Sequence, residues 1–243
     1  MLPSRGCSNT KIHRMGVTVQ VGDQEAYLAR VGRAGMLLLP MITGIGEQIR
    51  EWADELAAAG ITALVWDPFK GKSTDNSTHD ELAALLRQKD DDEALAEQRA
   101  LLDYLTDDLG CTKAGVIGWC LGGRFALLLG ARDHRLANVV AFHPTSPSEH
   151  HEQHTYDTIS DAAGIIAPVL VSYPSADVLV PNADFEALQT ALQSRPAGAT
   201  FTQYFPGAEH GFSDKARHAN ETNAAAFRLA WPQALAFMKT TTS

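Results

Sequence analysis

Ala114-Gly115-Val116-Ile117-Gly118-Trp119-Cys120-Leu121-Gly122-Gly123-Arg124-Phe125-Ala126-Leu127-Leu128-Leu129 decides the fold. Its apolar start, Ala114 to Ile117, reads as a buried strand, and Arg124 to Leu129 reads as a helix. Between them the chain must turn abruptly at Cys120. The glycines suit that turn, because a Cβ beside so sharp a bend would collide with the neighbouring strand or helix. The pattern is a nucleophile elbow with cysteine in place of serine, and it presents the thiol at the carboxyl end of the sheet, where α/β folds hold their ligands. The competing reading is a plain strand-helix junction around a buried cysteine.

Outward from this stretch, strand and helix signals alternate without an internal repeat. Val17 to Val21 and Ala26 to Val31, separated by Gly22-Asp23, predict an antiparallel hairpin at the edge of the sheet. Met36 to Leu39 and Ile61 to Trp66 are short, almost wholly apolar runs, as expected of parallel strands covered on both faces. Between them Ile49, Trp52, Ala53, Leu56 and Ala57 recur at one-face spacing, so Glu47 to Ala59 predicts a helix stopped by Gly60. Lys89-Asp90-Asp91-Asp92-Glu93 reads as a solvated helix start, where acidic groups favour the positive end of the helix dipole. Leu136 to Phe142, Pro168 to Ser172 and Thr200 to Phe205 are later strands. A last helix around Asn223 to Lys239 should kink or restart at Pro232, leaving Thr240 to Ser243 as a frayed tail.

Composition narrows the function classes. The 243-residue chain is 45% hydrophobic, enough to bury a large core in one α/β domain. Against 29 Asp and Glu it carries 20 Lys and Arg, a formal charge of −9. That balance supplies no basic footprint for nucleic acid or an anionic membrane, so neither is expected as a partner. Cys7, Cys111 and Cys120 cannot all pair and lack metal-ligand spacing, which suits a reducing compartment. With no signal-peptide pattern at the start and no long apolar run, a cytoplasmic protein is expected.

Two further loops complete the chemistry. Asp177 follows the apolar run Val169 to Ser172, and His210 stands in Gly207-Ala208-Glu209-His210-Gly211-Phe212. Nucleophile, acid, histidine is the chain order of the α/β-hydrolase triad. In those roles Cys120 attacks a carbonyl as thiolate, His210 handles the proton, and Asp177 fixes the imidazole tautomer. The plainer readings are a turn-forming aspartate after a strand and a structural loop histidine.

With these residues in place, the chain resembles the dienelactone hydrolase family. Gly118-Trp119-Cys120-Leu121-Gly122-Gly123 matches that family's nucleophile motif, Ser175-Ala176-Asp177-Val178-Leu179-Val180-Pro181 its acid loop, and Gly207 to Phe212 its histidine loop, over roughly Val17 to Met238. The resemblance implies one α/β-hydrolase domain over 16–239, with 1–15 an N-terminal extension and 240–243 a tail. Its sheet is mostly parallel, with helices on both faces and an antiparallel N-terminal hairpin. It further implies hydrolysis of carboxylic esters or lactones through a Cys-His-Asp triad and a thioester, with neither metal nor organic cofactor. The backbone amides of Leu121 and, by resemblance, Ile42 would form the oxyanion hole. Other α/β chains with a cysteine elbow, the glutamine amidotransferases, place histidine and acid two residues apart near the end, unlike His210-Gly211-Phe212. The remaining alternative is a redox-sensing or ligand-binding thiol on the same fold.

Two positions depart from the family pattern. Met41 stands where many relatives carry a glutamate that partners the resting cysteine, which predicts a reactive thiol. Asp214, beside Lys215, stands where dienelactone-cleaving members carry an arginine for the substrate carboxylate, which predicts a preference for neutral lactones or aryl esters. Met41, Trp119, His143 and Arg124 are candidate pocket residues. For Arg124 a structural ion pair competes, and for His143 a packed strand-end role. His150, His151 and His154 have the composition of a metal tract without a second ligand cluster, and read as a solvated lid loop. The sequence leaves the oligomeric state open.

Overall fold

A computed structural model describes residues 15–146 and 153–243. Among the described residues eight strands form one sheet: β1 (Val17–Val21), β2 (Gln24–Ala29), β3 (Ala34–Leu39), β4 (Ile61–Trp66), β5 (Lys113–Trp119), β6 (Val139–Phe142), β7 (Val169–Ala176) and β8 (Thr200–Glu209), in the spatial order β1-β2-β4-β3-β5-β6-β7-β8. β1 pairs antiparallel with β2, and β2 antiparallel with β4. From β4 to β8 every pairing is parallel. The expected hairpin and parallel sheet are both present.

Alternation along the central strands divides the core in two. Leu37, Leu39 and Val116 pack with Phe125, Leu127 and Leu128 of α4 (Leu121–Arg132), with Leu95 and Leu101 of α3 (Asp91–Asp103), and with Phe185 and Leu188 of α6 (Asn182–Gln193). Met36, Leu38, Ile117 and Trp119 pack on the other face with Ile49, Trp52 and Leu56 of α1 (Glu47–Ala58), and with Trp231 and Met238 of α7 (Glu221–Thr242). Burial on both faces is why these strands read as unbroken apolar runs. Two shorter α-helices are α2 (His79–Gln88) and α5 (Thr158–Ala162). A capping box on Thr78 and Glu81 starts α2. Among the described residues, no helix is long and apolar enough to cross a membrane.

Several local expectations change. α7 runs through Pro232 to Thr242, so 240–243 is not a frayed tail. Asn138 donates to Thr241 Oγ1 at 2.7 Å and Thr242 is 2% exposed, so the last turn is docked on the sheet's end. The run 89–93 is not simply solvated either: Asp91 is fully buried, and Lys89 is buried with its ammonium on Glu97 at 2.7 Å. Strand β6 begins at Val139 rather than Leu136, and β8 runs on to Glu209. Residues 1–14 of the expected N-terminal extension, and His150 and His151 of the lid loop, lie outside the described residues.

Candidate active site

Cys120 joins β5 to α4 with φ 53° and ψ −114°, a backbone conformation that side chains other than glycine rarely adopt. The neighbouring glycines make this turn sterically feasible. A Cβ on Gly118 would lie 1.9 Å from the Gly122 carbonyl oxygen, and one on Gly122 would lie 1.9 Å from that of Leu39. Both contacts are impossible without moving backbone. The cysteine is clamped from two sides: its N–H donates to Phe142 at 3.0 Å, and its carbonyl accepts from Thr145 at 3.1 Å. The thiol-bearing residue remains half-buried and free.

Asp177 follows β7 and His210 follows β8, so both enter from the carboxyl edge of the sheet, as Cys120 does. The imidazole Nδ1 lies 2.7 Å from Asp177 Oδ2. Asp177 Oδ1 accepts the amides of Leu179 at 2.8 Å and Val180 at 3.0 Å, which fixes the carboxylate. Tyr173 anchors the same loop by donating to the Val180 carbonyl at 2.6 Å. Glycines at positive φ on either side of the histidine, Gly207 and Gly211, shape its loop.

Electrostatics set the histidine's charge. Burial pulls the His210 imidazole down, but the charge on Cys120 and the hydrogen bond to Asp177 outweigh it and push the group up to about 10. Its Nε2 is buried without a partner of good hydrogen-bond geometry, while Cys120 stands near enough to act on its charge. Asp177 and His210 are thus paired, with the cysteine on the ring's electrostatic horizon. Such an arrangement sets a carboxylate-held imidazole beside a cysteine side chain.

The oxyanion candidates lie at a helix start and in a turn. Leu121 is the first residue of α4, where amides are left without intrahelical acceptors. Ile42 lies in the turn after β3, which closes through a Gly44 amide to Met41 carbonyl bond of 3.1 Å. Gly44 has φ +62°, and a Cβ there would sit 2.4 Å from the Lys72 carbonyl oxygen, so the turn is pressed against the segment that follows β4. Met41 is buried in the aromatic side of the core.

The other pocket candidates fall elsewhere. Trp119 is fully buried, stacked on Trp52 with ring centroids 4.3 Å apart, so it supports the elbow from within the core rather than lining a pocket. Arg124 is 2% exposed and grips Asp91 through two bonds of 2.6 and 2.8 Å, donating also to the Tyr156 carbonyl at 3.0 Å. It is a structural cation beneath the elbow helix, not a substrate anchor. Burial would raise Asp91, but the Arg124 hydrogen bonds and charge outweigh it and hold the carboxyl below its ordinary range. His143 is fully buried, so it cannot line an open pocket, and its Nε2 lies 2.8 Å from Ser213 Oγ. Sequence reasoning missed Ser213 and Asp91, one hidden beside Phe212 in the histidine loop and the other in an acidic run. His154 is buried with its ring edge-on to Phe125, so this end of the expected lid is not solvated. Among the described residues, no group of three or more His, Cys, Asp or Glu is placed to hold a metal ion. An open cavity of about 630 Å³ is lined by Asp23, Glu25, Asp67, Lys70, Glu93 and Glu97 among others and includes none of Cys120, Asp177 and His210.

Known proteins are similar to this chain in sequence and in fold. A probable 2-oxo-3-(5-oxofuran-2-ylidene)propanoate lactonase from Bradyrhizobium sp. is 26% identical over 222 residues, covering 88% of each chain. A carboxymethylenebutenolidase from Rhodococcus opacus is 28% identical over 208 residues, covering 84% of this chain and 80% of its own. The crystal structure of a putative dienelactone hydrolase from Klebsiella pneumoniae superposes with a TM-score of 0.78 at 22% identity, over 92% of this chain and 98% of that one. Residues 25–242, nearly all of the sheet and its helices, match the model of the dienelactone hydrolase family, and the chain belongs to that family.

Proposed function

We propose that this protein hydrolyses carboxylic esters or lactones through Cys120, His210 and Asp177, with a thioester acyl-enzyme intermediate. The observation that carries the reading is the buried Asp177-His210 pair beside a cysteine held at positive φ on a glycine-lined elbow. Relatives named as a lactonase and a carboxymethylenebutenolidase support the substrate class. The same reading places the chain in a single catalytic domain and in a reducing, cytoplasmic setting, consistent with Cys111 and Cys120 standing as free thiols.

The steps follow from the charges. The Cys120 thiolate attacks the carbonyl carbon, forming the carbon-sulfur bond while the carbonyl oxygen becomes an oxyanion facing the amides of Leu121 and Ile42. One such donor is worth about 2.7–4 kcal/mol at the transition state. Collapse breaks the carbon-oxygen bond of the ester, and the imidazolium of His210 gives its proton to the departing oxygen. Water then attacks the thioester and loses a proton to His210. Expulsion of the thiolate releases the acid and restores the ion pair. Throughout, Asp177 keeps the proton on Nδ1 directed at itself.

Intact-mass spectrometry after exposure to p-nitrophenyl acetate or a simple lactone tests the reading. An added acyl mass on the wild type, absent from Cys120→Ala along with turnover, is expected. Undiminished hydrolysis by pure Cys120→Ala would remove the thiol from the mechanism, whereas a wild type with neither acyl adduct nor turnover would leave the chain as a binding or redox-sensing thiol protein.

A further inference from the structure

His143 occupies a place that neither the nucleophile nor the histidine loop would fill by itself. Among the described residues only three that are not glycine have positive φ: Lys70, Cys120 and His143, the last at 35°. A non-glycine residue is strained there and persists in that conformation only where the surroundings impose it. What imposes it here is the sheet end. The His143 amide makes a 2.7 Å bond to the Ser172 carbonyl. Phe142, just before His143, accepts the Cys120 amide at 3.0 Å, and the amide of Thr145, two residues on, donates to the Cys120 carbonyl at 3.1 Å. The left-handed turn at His143 thus lets the chain reach back over the elbow, where Pro144 leaves only 3.0 Å for a Cβ on Gly123.

The side chain points to the other partner. Its ring stands edge-on to that of His210, with centroids 4.9 Å apart and planes at 65°, and edge-on to Phe212 at 5.5 Å. Nε2 is tied to Ser213 Oγ, three residues beyond His210 on the same loop, and both His143 and Ser213 are fully buried. Gln48 of α1 holds that loop from outside, donating to the Ser213 carbonyl at 3.2 Å and accepting from the Lys215 amide at 2.8 Å. Burial first, and then the charge of His210, hold His143 well below the ordinary histidine range, so it stays neutral next to a charged neighbour.

We propose that His143 is a positioning residue: its left-handed backbone turns the chain so that Phe142 and Thr145 clamp Cys120, while its side chain, held by Ser213, braces the His210 ring against rotation away from Asp177 and Cys120. The inference rests on the cysteine-histidine reading of the site. The side-chain part of this brace acts on thiol reactivity through His210. Truncating it should therefore be felt only while His210 is present.

Iodoacetamide labelling of Cys120 at pH 7, followed by peptide mass spectrometry, reads this without knowledge of the substrate. Ser213→Ala and His143→Asn, the latter chosen because asparagine tolerates positive φ, should each slow labelling by about threefold or more, in line with directly coupled residues. In a His210→Ala background the same changes should leave the rate where His210→Ala put it. Thermal melts identify any variant that has lost its fold, and Ser213→Ala, which removes one hydroxyl, keeps the test available if His143→Asn unfolds. Wild-type labelling in Ser213→Ala, or an equal loss in the His210→Ala background, overturns the brace. If His210→Ala alone labels like wild type, the cysteine-histidine pair fails and the brace fails with it; if His210→Ala is slow while Ser213→Ala is not, only the brace is overturned.

Discussion

Asp177 commits both of its oxygens, one to His210 Nδ1 at 2.7 Å and the other to the amides of Leu179 and Val180. The carboxylate therefore cannot follow the ring if the ring moves, and the ring must come to it. Asp177→Asn keeps the shape but offers an amide where a second acceptor is needed, so it destabilises both the tautomer and the imidazolium. Turnover of an aryl ester should fall by about 10²–10⁴ in kcat, with His210→Ala at least as severe. Steady-state kinetics check this, and an Asp177→Asn enzyme within a few-fold of wild type would contradict it.

The raised histidine also makes stability depend on pH. An unfolded histidine titrates near 6.5, while folded His210 titrates at about 10, so the folded state holds the proton more tightly. Its contribution to stability is complete below the unfolded value and is lost as pH rises from there through about 10. Urea melts from pH 6 to 10.5 should show wild type losing stability toward alkali, and His210→Ala should lack that component. Parallel curves for the two proteins would place the stabilising proton elsewhere.

How much of this was legible beforehand depends on the range of the determining contacts. The elbow glycines answer clashes with residues close in sequence or on the adjacent strand, so Gly118 and Gly122 announce the turn. Gly207 and Gly211 likewise mark where His210 stands, and the apolar strand that gives way to Ser175-Ala176-Asp177 marks the acid. By contrast, Asp91 sits in a run of acids that looks solvated, and only Arg124, 33 residues away, explains its burial. Trp119 and His143 end strands buried on both faces, where periodicity cannot say which way a side chain points. The helical close of α7 depends on Asn138, 103 residues away, meeting Thr241.

Arg124 and Asp91 lead to a different expectation from the one a substrate anchor would give. Both are buried, and removing one partner strands the other charge, a loss of about 3–5 kcal/mol. Asp91→Ala and Arg124→Leu should each destabilise by that order in urea melts, with KM for a neutral ester unchanged in whatever folds. Asp91→Leu combined with Arg124→Leu should recover much of the loss, because no lone charge remains. A raised KM for anionic esters without loss of stability would return Arg124 to the substrate.

Substrate preference turns on Asp214. Its carboxylate caps the short turn Lys215–Arg217 through the Ala216 amide at 2.9 Å, so an acid stands four residues beyond His210 with a structural task of its own. Added to a chain charge of −9, this disfavours a substrate carboxylate approaching the histidine loop. Neutral lactones and aryl esters should show higher kcat/KM than dienelactone. Asp214→Arg should narrow the gap chiefly by lowering KM for dienelactone, since it changes a ground-state charge contact and leaves the reacting groups in place. The change should shrink as salt rises, because exposed charges are screened within about 10 Å at 0.1 M ionic strength. Dienelactone as the best substrate of the wild type, or a salt-independent effect of Asp214→Arg, would show that charge at this position does not set the preference.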